Sequence, residues 1–243
     1  MRLIIDAGNT RVKVAVFEQY TMIDMFFFET KKVVSKIKKI NKNFDISSAI
    51  ISNVALISEE KIKKIENLVH LIRVSSTTKV PFSNLYKTPK TLGVDRIALV
   101  TGAVKKYPSK NVLIIDAGTC ITYDFVNKDA EYLGGAISLG MQMRFKALHK
   151  FTAKLPLVEK SEEIYLIGNS TEKCINSGVT LGIIKEIEGI ILAYQEKFLD
   201  LTVVLTGGDT NFLSKQLKSS IFANQNFLLE GLNELLIFNE TNE

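Results

Sequence analysis

Apolar residues in this chain come in short blocks closed by turn residues. Leu3-Ile4-Ile5 runs into Asp6-Ala7-Gly8, and after a few polar residues Val12 to Phe17 forms a second block interrupted only by Lys13. Blocks of this length bounded by turn formers predict strand, tight turn, strand. The pattern then repeats. Leu3 to Gly8 recurs letter for letter as Leu113-Ile114-Ile115-Asp116-Ala117-Gly118, at an offset of 110 residues, and Ile121 to Val126 follows it as a second returning strand. A repeat at nearly half the chain length predicts two similar halves, 1–110 and 111–243, rather than a solenoid of short repeats.

The first half continues with an aromatic-rich strand from Met22 to Phe28. A helix is expected over 31–44, where Val33, Ile37, Ile40 and Phe44 recur at helical spacing. Its opposite face carries Lys31, Lys32, Lys36, Lys38, Lys39 and Lys42. A strand at 49–52, a helix at 58–68 and a strand at 69–74 follow, giving the order βββαβα(β). Residues 75–93, with Pro81, Pro89 and Gly93, read as a connecting segment before a helix over 95–106. After the second hairpin come a strand at 130–132 leading to Gly134-Gly135 and helices near 138–150 and 170–198. A strand at 202–205, the turn Thr206-Gly207-Gly208-Asp209 and a helix at 228–237 complete the pattern.

Composition narrows the class without naming a function. The chain has 243 residues, 46% hydrophobic and 23% charged, as an ordinary globular protein does. Disorder, collagen and disulfide scaffolds are excluded. Cys120 and Cys174 show no paired spacing, which points to a reducing compartment. No apolar run reaches the roughly 18–20 residues of a membrane span, and Met1-Arg2-Leu3-Ile4-Ile5-Asp6 lacks a signal-peptide core, so a cytoplasmic protein is expected. Residues 1–110 hold 20 Lys+Arg against 9 Asp+Glu, and residues 111–243 hold 11 against 17. A basic half attracts anions, nucleotides among them. The lysine run at 31–42 has no interleaved aromatics and reads as a solvated face rather than a nucleic-acid surface.

The repeated turns carry the chemistry. Glycine lets the backbone approach a ligand and aim its N–H groups at it, and Asn9, Thr10 and Thr119 add polar side chains. A carboxylate beside amides that cradle phosphate makes sense when a cation such as Mg²⁺ bridges them. Lys13, on the returning strand, supplies a positive point charge. Asp-Gly-type turns also close ordinary hairpins, but two identical six-residue copies favour a pair of turns gripping one polyphosphate. The Thr206 to Asp209 turn would form a third wall of a nucleotide cleft. Asp95, in Leu92-Gly93-Val94-Asp95-Arg96, opens a helix and serves there as a cap or as a catalytic carboxylate. A helix N-terminus favours its negative charge. A loose phosphoryl-transfer transition state asks a base only to orient the hydroxyl and accept its proton late. The sequence has no GxxxxGK[ST] P-loop, GxGxxG, HxxxH-type zinc site or GxSxG elbow, and His70 and His149 are isolated.

Taken in order, these residues resemble type III pantothenate kinase, a branch of the acetate and sugar kinase, heat-shock chaperone and actin superfamily. The resemblance runs through Asp6-Ala7-Gly8-Asn9-Thr10 with Lys13, Tyr86 with Pro89, Gly93-Val94-Asp95-Arg96 and Asp116-Ala117-Gly118-Thr119. It continues through Tyr132 to Ile137, Leu155-Pro156, Asn169-Ser170-Thr171 with Ser177-Gly178, and Thr206-Gly207-Gly208-Asp209. It implies an α/β protein of two similar ribonuclease H-like (actin-like ATPase) domains, each a mixed β-sheet with flanking helices, with a nucleotide cleft between them. It also implies ATP-dependent phosphorylation of pantothenate to 4′-phosphopantothenate in coenzyme A synthesis.

By the family pattern, Asp6, Ala7, Gly8, Asn9, Thr10, Arg11, Val12, Lys13 and Thr119 would contact ATP, and Asp6 would meet Mg²⁺ through water. Asp95 would accept the proton. Tyr86, Gly93, Val94, Asp95 and Arg96 would hold pantothenate, with Thr171 reaching it across a homodimer. Asp116 would bind a monovalent cation, K⁺ or NH₄⁺. No nucleic-acid or membrane partner is implied. Two departures stand out: Ser138-Leu139-Gly140 occupies the place of a usual Pro-Gly, and Cys120 the place of a frequent alanine. Two alternatives remain at this level: a regulatory or transcription-accessory relative without activity, and a kinase acting on a sugar or acetate. Retention of Asp6, Lys13, Asp95, Arg96 and Asp116 together argues against the first.

Overall fold

A computed structural model of the chain describes residues 1–8, 11–53 and 57–241. Its elements are β1 (Arg2–Ala7), β2 (Val12–Glu18), β3 (Thr21–Phe28), α1 (Val33–Asn43), β4 (Ser48–Asn53), α2 (Glu59–Glu66), β5 (His70–Arg73), β6 (Ser83–Asn84) and α3 (Val94–Lys106). They continue with β7 (Asn111–Ala117), β8 (Cys120–Val126), β9 (Glu131–Leu139), α4 (Met141–Lys150), α5 (Thr171–Lys197), β10 (Leu201–Thr206), α6 (Thr210–Leu213), β11 (Phe222–Ala223) and α7 (Phe227–Thr241).

The chain forms two compact units. The first is Met1–Ser109 with Ala130–Leu133 and Asn226–Glu243, and the second is Lys110–Asp129 with Gly134–Gln225. The first unit is therefore not the continuous stretch 1–110, because α7 packs with it.

In the first unit the sheet order is β3-β2-β1-β4-β5. β1 pairs antiparallel with β2 and parallel with β4. Strand alternation splits β1 between two faces. Leu3, Ile5 and Ala7 join Val12, Val14, Val16, Ala49 and Ile51 in a core with Val33, Ile37 and Ile40 of α1 and Ile62 and Ile65 of α2. Ile4 and Asp6 face the other way. α7 packs against β1, β4 and α3. Its approach to α3 needs glycine on both helices: a Cβ on Gly102 would lie 3.0 Å from the Gly231 Cα, and one on Gly231 would lie 2.2 Å from the Ala98 carbonyl oxygen. The Lys106–Glu230 ion pair at 2.9 Å adds a surface tie.

The second unit repeats the hairpin as β7 and β8, again antiparallel. β10 pairs parallel with β7 and with the short β11. Leu113, Ile115, Ala117 and Tyr123 pack on Met141 and Phe145 of α4 and on Ile183, Ile187 and Ile191 of α5. The strand expected at 130–132 runs on to Leu139 through its glycines. Gly134 has φ +104°, outside the range most side chains tolerate. A Cβ on Gly135 would lie 1.6 Å from the Tyr123 carbonyl oxygen, so the strand passes β8 at a distance open only to glycine. Ser83 and Asn84, in the expected connecting segment, pair with the start of β9 at Glu131 and Tyr132.

Candidate active site

In the first unit the site forms where β1 ends. Asp6 is only 6% exposed and stands opposite Lys13 in the β1–β2 ladder and beside Ser52 in the β1–β4 ladder. Residues in register share a face of the sheet, so carboxylate, ammonium and hydroxyl lie side by side. Burial pushes the Asp6 carboxyl up to about 6; the Lys13 charge opposes this shift and the Asp95 charge adds to it. The Ser52 hydroxyl is buried and has no hydrogen-bond partner among the described residues. Gly8 follows β1, and among the described residues an added Cβ there would meet only the Arg11 carbonyl oxygen, at 3.6 Å. Asn9 and Thr10, both expected ATP contacts, lie outside the described residues. Arg11 is exposed, with its guanidinium 4.5 Å from the centre of the Phe27 ring. Val12 is buried in the core and offers the turn only its backbone.

The second carboxylate comes from α3. Gly93 caps the helix and Asp95 lies in its first turn. Asp95 Oδ1 accepts a hydrogen bond from the Arg96 backbone N–H at 2.8 Å. The carboxylate also folds back over Gly93, where a Cβ would lie 2.4 Å from Oδ1. Glycine at 93 thus leaves room for the Asp95 conformation observed. Val94 is the first helical residue and sits beside it.

Arg96 is buried, its guanidinium 5.6 Å from the centre of the Tyr86 ring. Tyr86 in turn stacks on buried Tyr132 at 6.0 Å, and Phe82 meets Tyr132 edge-on at 6.1 Å. The first unit therefore brings together Asp6, Lys13, Asp95, Arg96 and Tyr86, which lie far apart in sequence.

The second unit builds a parallel arrangement around Asp116. Asp116 is in register with Thr122 on β8 and Thr206 on β10. The hydroxyl oxygens of both threonines are buried and have no hydrogen-bond partner among the described residues. Gly207 has φ +97°, and a Cβ there would lie 2.4 Å from both Asp116 Oδ1 and the Ala117 carbonyl oxygen. The Asp209 backbone N–H donates to that same carbonyl at 2.9 Å. Burial raises the Asp209 carboxyl, partly opposed by the Lys160 charge.

Thr119 is exposed at the tip of the turn, and its carbonyl accepts from the Gly140 N–H at 3.2 Å. A Cβ on Gly140 would fall 2.1 Å from the Gly118 carbonyl oxygen. The departure at Ser138-Leu139-Gly140 thus retains a glycine where the backbone leaves no space for a side chain. Thr171 stands elsewhere, at the start of α5. It lines a groove of about 710 Å³ with Leu148, Leu155, Asn169 and Cys174, separate from Asp116 and Thr119.

Sequence reasoning did not single out Ser52 or Thr122, and it gave Thr206 and Asp209 no role of their own beyond the turn expected as a third wall of the cleft. Thr206 and Asp209 flank the glycine pair that the sequence marks as a turn. The role of Thr206 beside Asp116 emerges only once β10 is known to pair with β7.

The match to known proteins is extensive. The family model described as type III pantothenate kinase matches residues 2–193. The chain belongs to this family. A type III pantothenate kinase of Christiangramia forsetii (strain DSM 17595 / CGMCC 1.15422 / KT0803) is 50% identical over 242 residues, covering 99% of this chain and 100% of its own. Among solved structures, a conserved putative Baf family transcriptional activator from Campylobacter jejuni superposes with TM-score 0.66 at 20% identity, covering 98% of this chain and 99% of that one. A glucokinase from an Antarctic psychrotroph superposes with TM-score 0.53 at 10% identity over 98% of each chain. These two likenesses bear on the fold alone, which is the α/β architecture of the actin-like ATPases and sugar kinases. Membership of the family fits the placement of Asp6, Asp95 and Asp116 at strand and helix ends. Among the described residues, no helix is long and apolar enough to cross a membrane.

Proposed function

We propose that this chain is a kinase that transfers the γ-phosphoryl group of ATP to pantothenate, giving 4′-phosphopantothenate and ADP. The observation that carries the reading is the pairing of two unlike carboxylates in one unit. Asp6 is buried at a strand end beside a glycine turn, and Asp95 lies near enough for its charge to act on Asp6. Membership of the chain in the type III pantothenate kinase family supports it.

In this reading the backbone of Asp6 to Lys13 and the Gly118-Thr119 turn hold ATP phosphates, with Asn9, Thr10 and Arg11 contributing from the first turn. Lys13 places a positive charge on a phosphate oxygen. Asp95 hydrogen-bonds the acceptor hydroxyl of pantothenate, aligns it for in-line attack and takes its proton as the phosphorus–oxygen bond forms. Its bond to the Arg96 N–H fixes the carboxylate while it does so. Tyr86, braced by Tyr132, and Arg96 form a wall against pantothenate, whose carboxylate suits a guanidinium.

A buried carboxylate that burial holds part-protonated, next to an unpartnered hydroxyl at Ser52, fits a cation-assisted site. Mg²⁺ bound there through water would neutralise charge on the phosphates. The oxygens of Thr122 and Thr206 flanking Asp116 fit a monovalent cation, since lone pairs not engaged by the described residues can coordinate K⁺ or accept hydrogen bonds from NH₄⁺. A homodimer in which Thr171 reaches the partner's pantothenate finds support in Leu166 and Ile167, 84% and 83% exposed just before α5.

The test is a coupled assay of ADP release with Mg²⁺ and K⁺, with and without pantothenate, repeated with Na⁺ in place of K⁺. Release that depends on pantothenate supports the proposal. Release without that dependence, or none at all, would overturn it.

A further inference from the structure

A set of contacts in the second unit bears on how the Gly118-Thr119 turn keeps its shape. Arg144, in the first turn of α4, donates from Nε to the Leu139 carbonyl at 2.9 Å and from Nη2 to the Ser138 hydroxyl at 3.1 Å. The same Nη2 is paired with Glu186 of α5. Glu186 also accepts from the Tyr123 hydroxyl at 3.0 Å. Gly182, one turn earlier on α5, lies beside the guanidinium, where an added Cβ would make only an ordinary contact, 4.0 Å from Nη1. The residue that follows this braced segment is Gly140, whose N–H bonds the Thr119 carbonyl and whose Cα packs against the carbonyls of Gly118 and Thr119.

We propose that Arg144, anchored by Glu186, is a positioning residue for the Gly118-Thr119 turn, holding Ser138-Leu139-Gly140 as the platform on which that turn rests. The inference rests on the reading of Thr119 as an ATP contact. An arginine is suited to this task because its planar fork reaches two acceptors and a carboxylate at once, whereas a lysine presents a single point charge. The ion pair is half-buried, with side chains 20% and 25% exposed, so it is less screened than a surface pair. Burial raises the Glu186 carboxyl, but hydrogen bonds from Arg144, Ser138 and Tyr123 outweigh it and hold the group below its ordinary range. The anchor is therefore charged at neutral pH.

The test uses the full chain with Arg144→Met, which keeps the apolar stem, and Arg144→Lys, which keeps the charge. Removing hydrogen bonds from a charged donor should raise the KM for ATP by about tenfold in both variants, with the KM for pantothenate changed by less than about twofold. Hydrogen exchange at the Gly140 amide should quicken in both. Full rescue by lysine, an unchanged Gly140 amide, or equal rises in both KM values would overturn the proposal. A faster Gly140 amide with unaltered ATP binding would show the brace to be real and the assignment of Thr119 to ATP to be wrong. If Arg144→Met fails to fold, Ser138→Ala removes the hydroxyl that Arg144 and Glu186 share while keeping their ion pair, and should give the same pattern at about twofold to threefold in ATP KM.

Discussion

Asp6 and Lys13 face each other across the β1–β2 ladder, and the lysine's charge does not offset the burial of the carboxylate. Desolvation of a charged group outweighs an adjacent opposite charge when the carboxylate is buried and the ammonium only half so. Burial pushes the carboxyl up to about 6, from the 3.8 of a free aspartate.

This sets a pH dependence of stability for the ligand-free protein. At pH values under 3.8 the group is protonated in folded and unfolded chains alike and costs nothing. As pH rises from 3.8 to about 6 the unfolded chain gives up the proton first, so stability falls. At higher pH the cost levels off at up to about 3 kcal/mol. Asp6→Asn should remove this slope, making the ligand-free protein more stable at pH 7 while abolishing turnover. Urea titrations at several pH values check it, and parallel curves for the two proteins would contradict it.

Asp95→Asn should lower kcat by two or more orders of magnitude on the scale of lost general-base catalysis, leaving ATP affinity nearly unchanged. It should also lower the Asp6 pKa, since one source of its upward shift is gone. Calorimetric titration with ATP and steady-state kinetics give the two halves of the answer. Weakened ATP binding would mean that Asp95 acts on the nucleotide.

Gly93→Ala tests the same carboxylate indirectly. The new methyl would meet Asp95 Oδ1 at 2.4 Å, so the carboxylate must swing away. The backbone at 93, with φ −59°, suits alanine, so any stability change should stay within about 1 kcal/mol, the usual scale at a glycine N-cap. Turnover should fall towards that of Asp95→Asn. Kinetics as good as wild type would show that the observed carboxylate position is unnecessary.

Thr206→Val replaces a buried hydroxyl that has no hydrogen-bond partner with a methyl of the same shape. Stability should be unchanged or up to about 1 kcal/mol higher, because no bond is lost. Activation by K⁺ should weaken, as it should in Asp116→Asn. If either variant responds to K⁺ like the wild type, the cation binds elsewhere.

Much of this arrangement is legible before any coordinates exist, and for a definite reason. The repeated hairpins show in the sequence because each is a local element: a short apolar block, an Asp-Ala-Gly turn and a second block. Asp6 and Asp116 are found with them. Asp95 is legible because it sits beside a glycine at a helix start. What escapes is set by pairing between distant segments. Ser83-Asn84 forms a strand only because Glu131 and Tyr132 are there to pair with it. Thr122 looks like an ordinary strand residue and Thr206 like the start of a glycine turn until register sets both beside Asp116. Nothing local in Phe227–Thr241 reveals that its partners are β1, β4 and α3, for those contacts rest on glycines 102 and 231 meeting across two helices.

That helix has a consequence for biosynthesis. Translation delivers the first sheet to the ribosome exit early, yet the contacts of α7 with β1 and β4 cannot form until residues 227–241 emerge behind it. Every strand and helix of the other unit is synthesised in the interval. The nascent chain must therefore keep β1 and β4 from aggregation without that helix for nearly the whole of its own production, and a premature stop codon ahead of α7 would leave both strands without it.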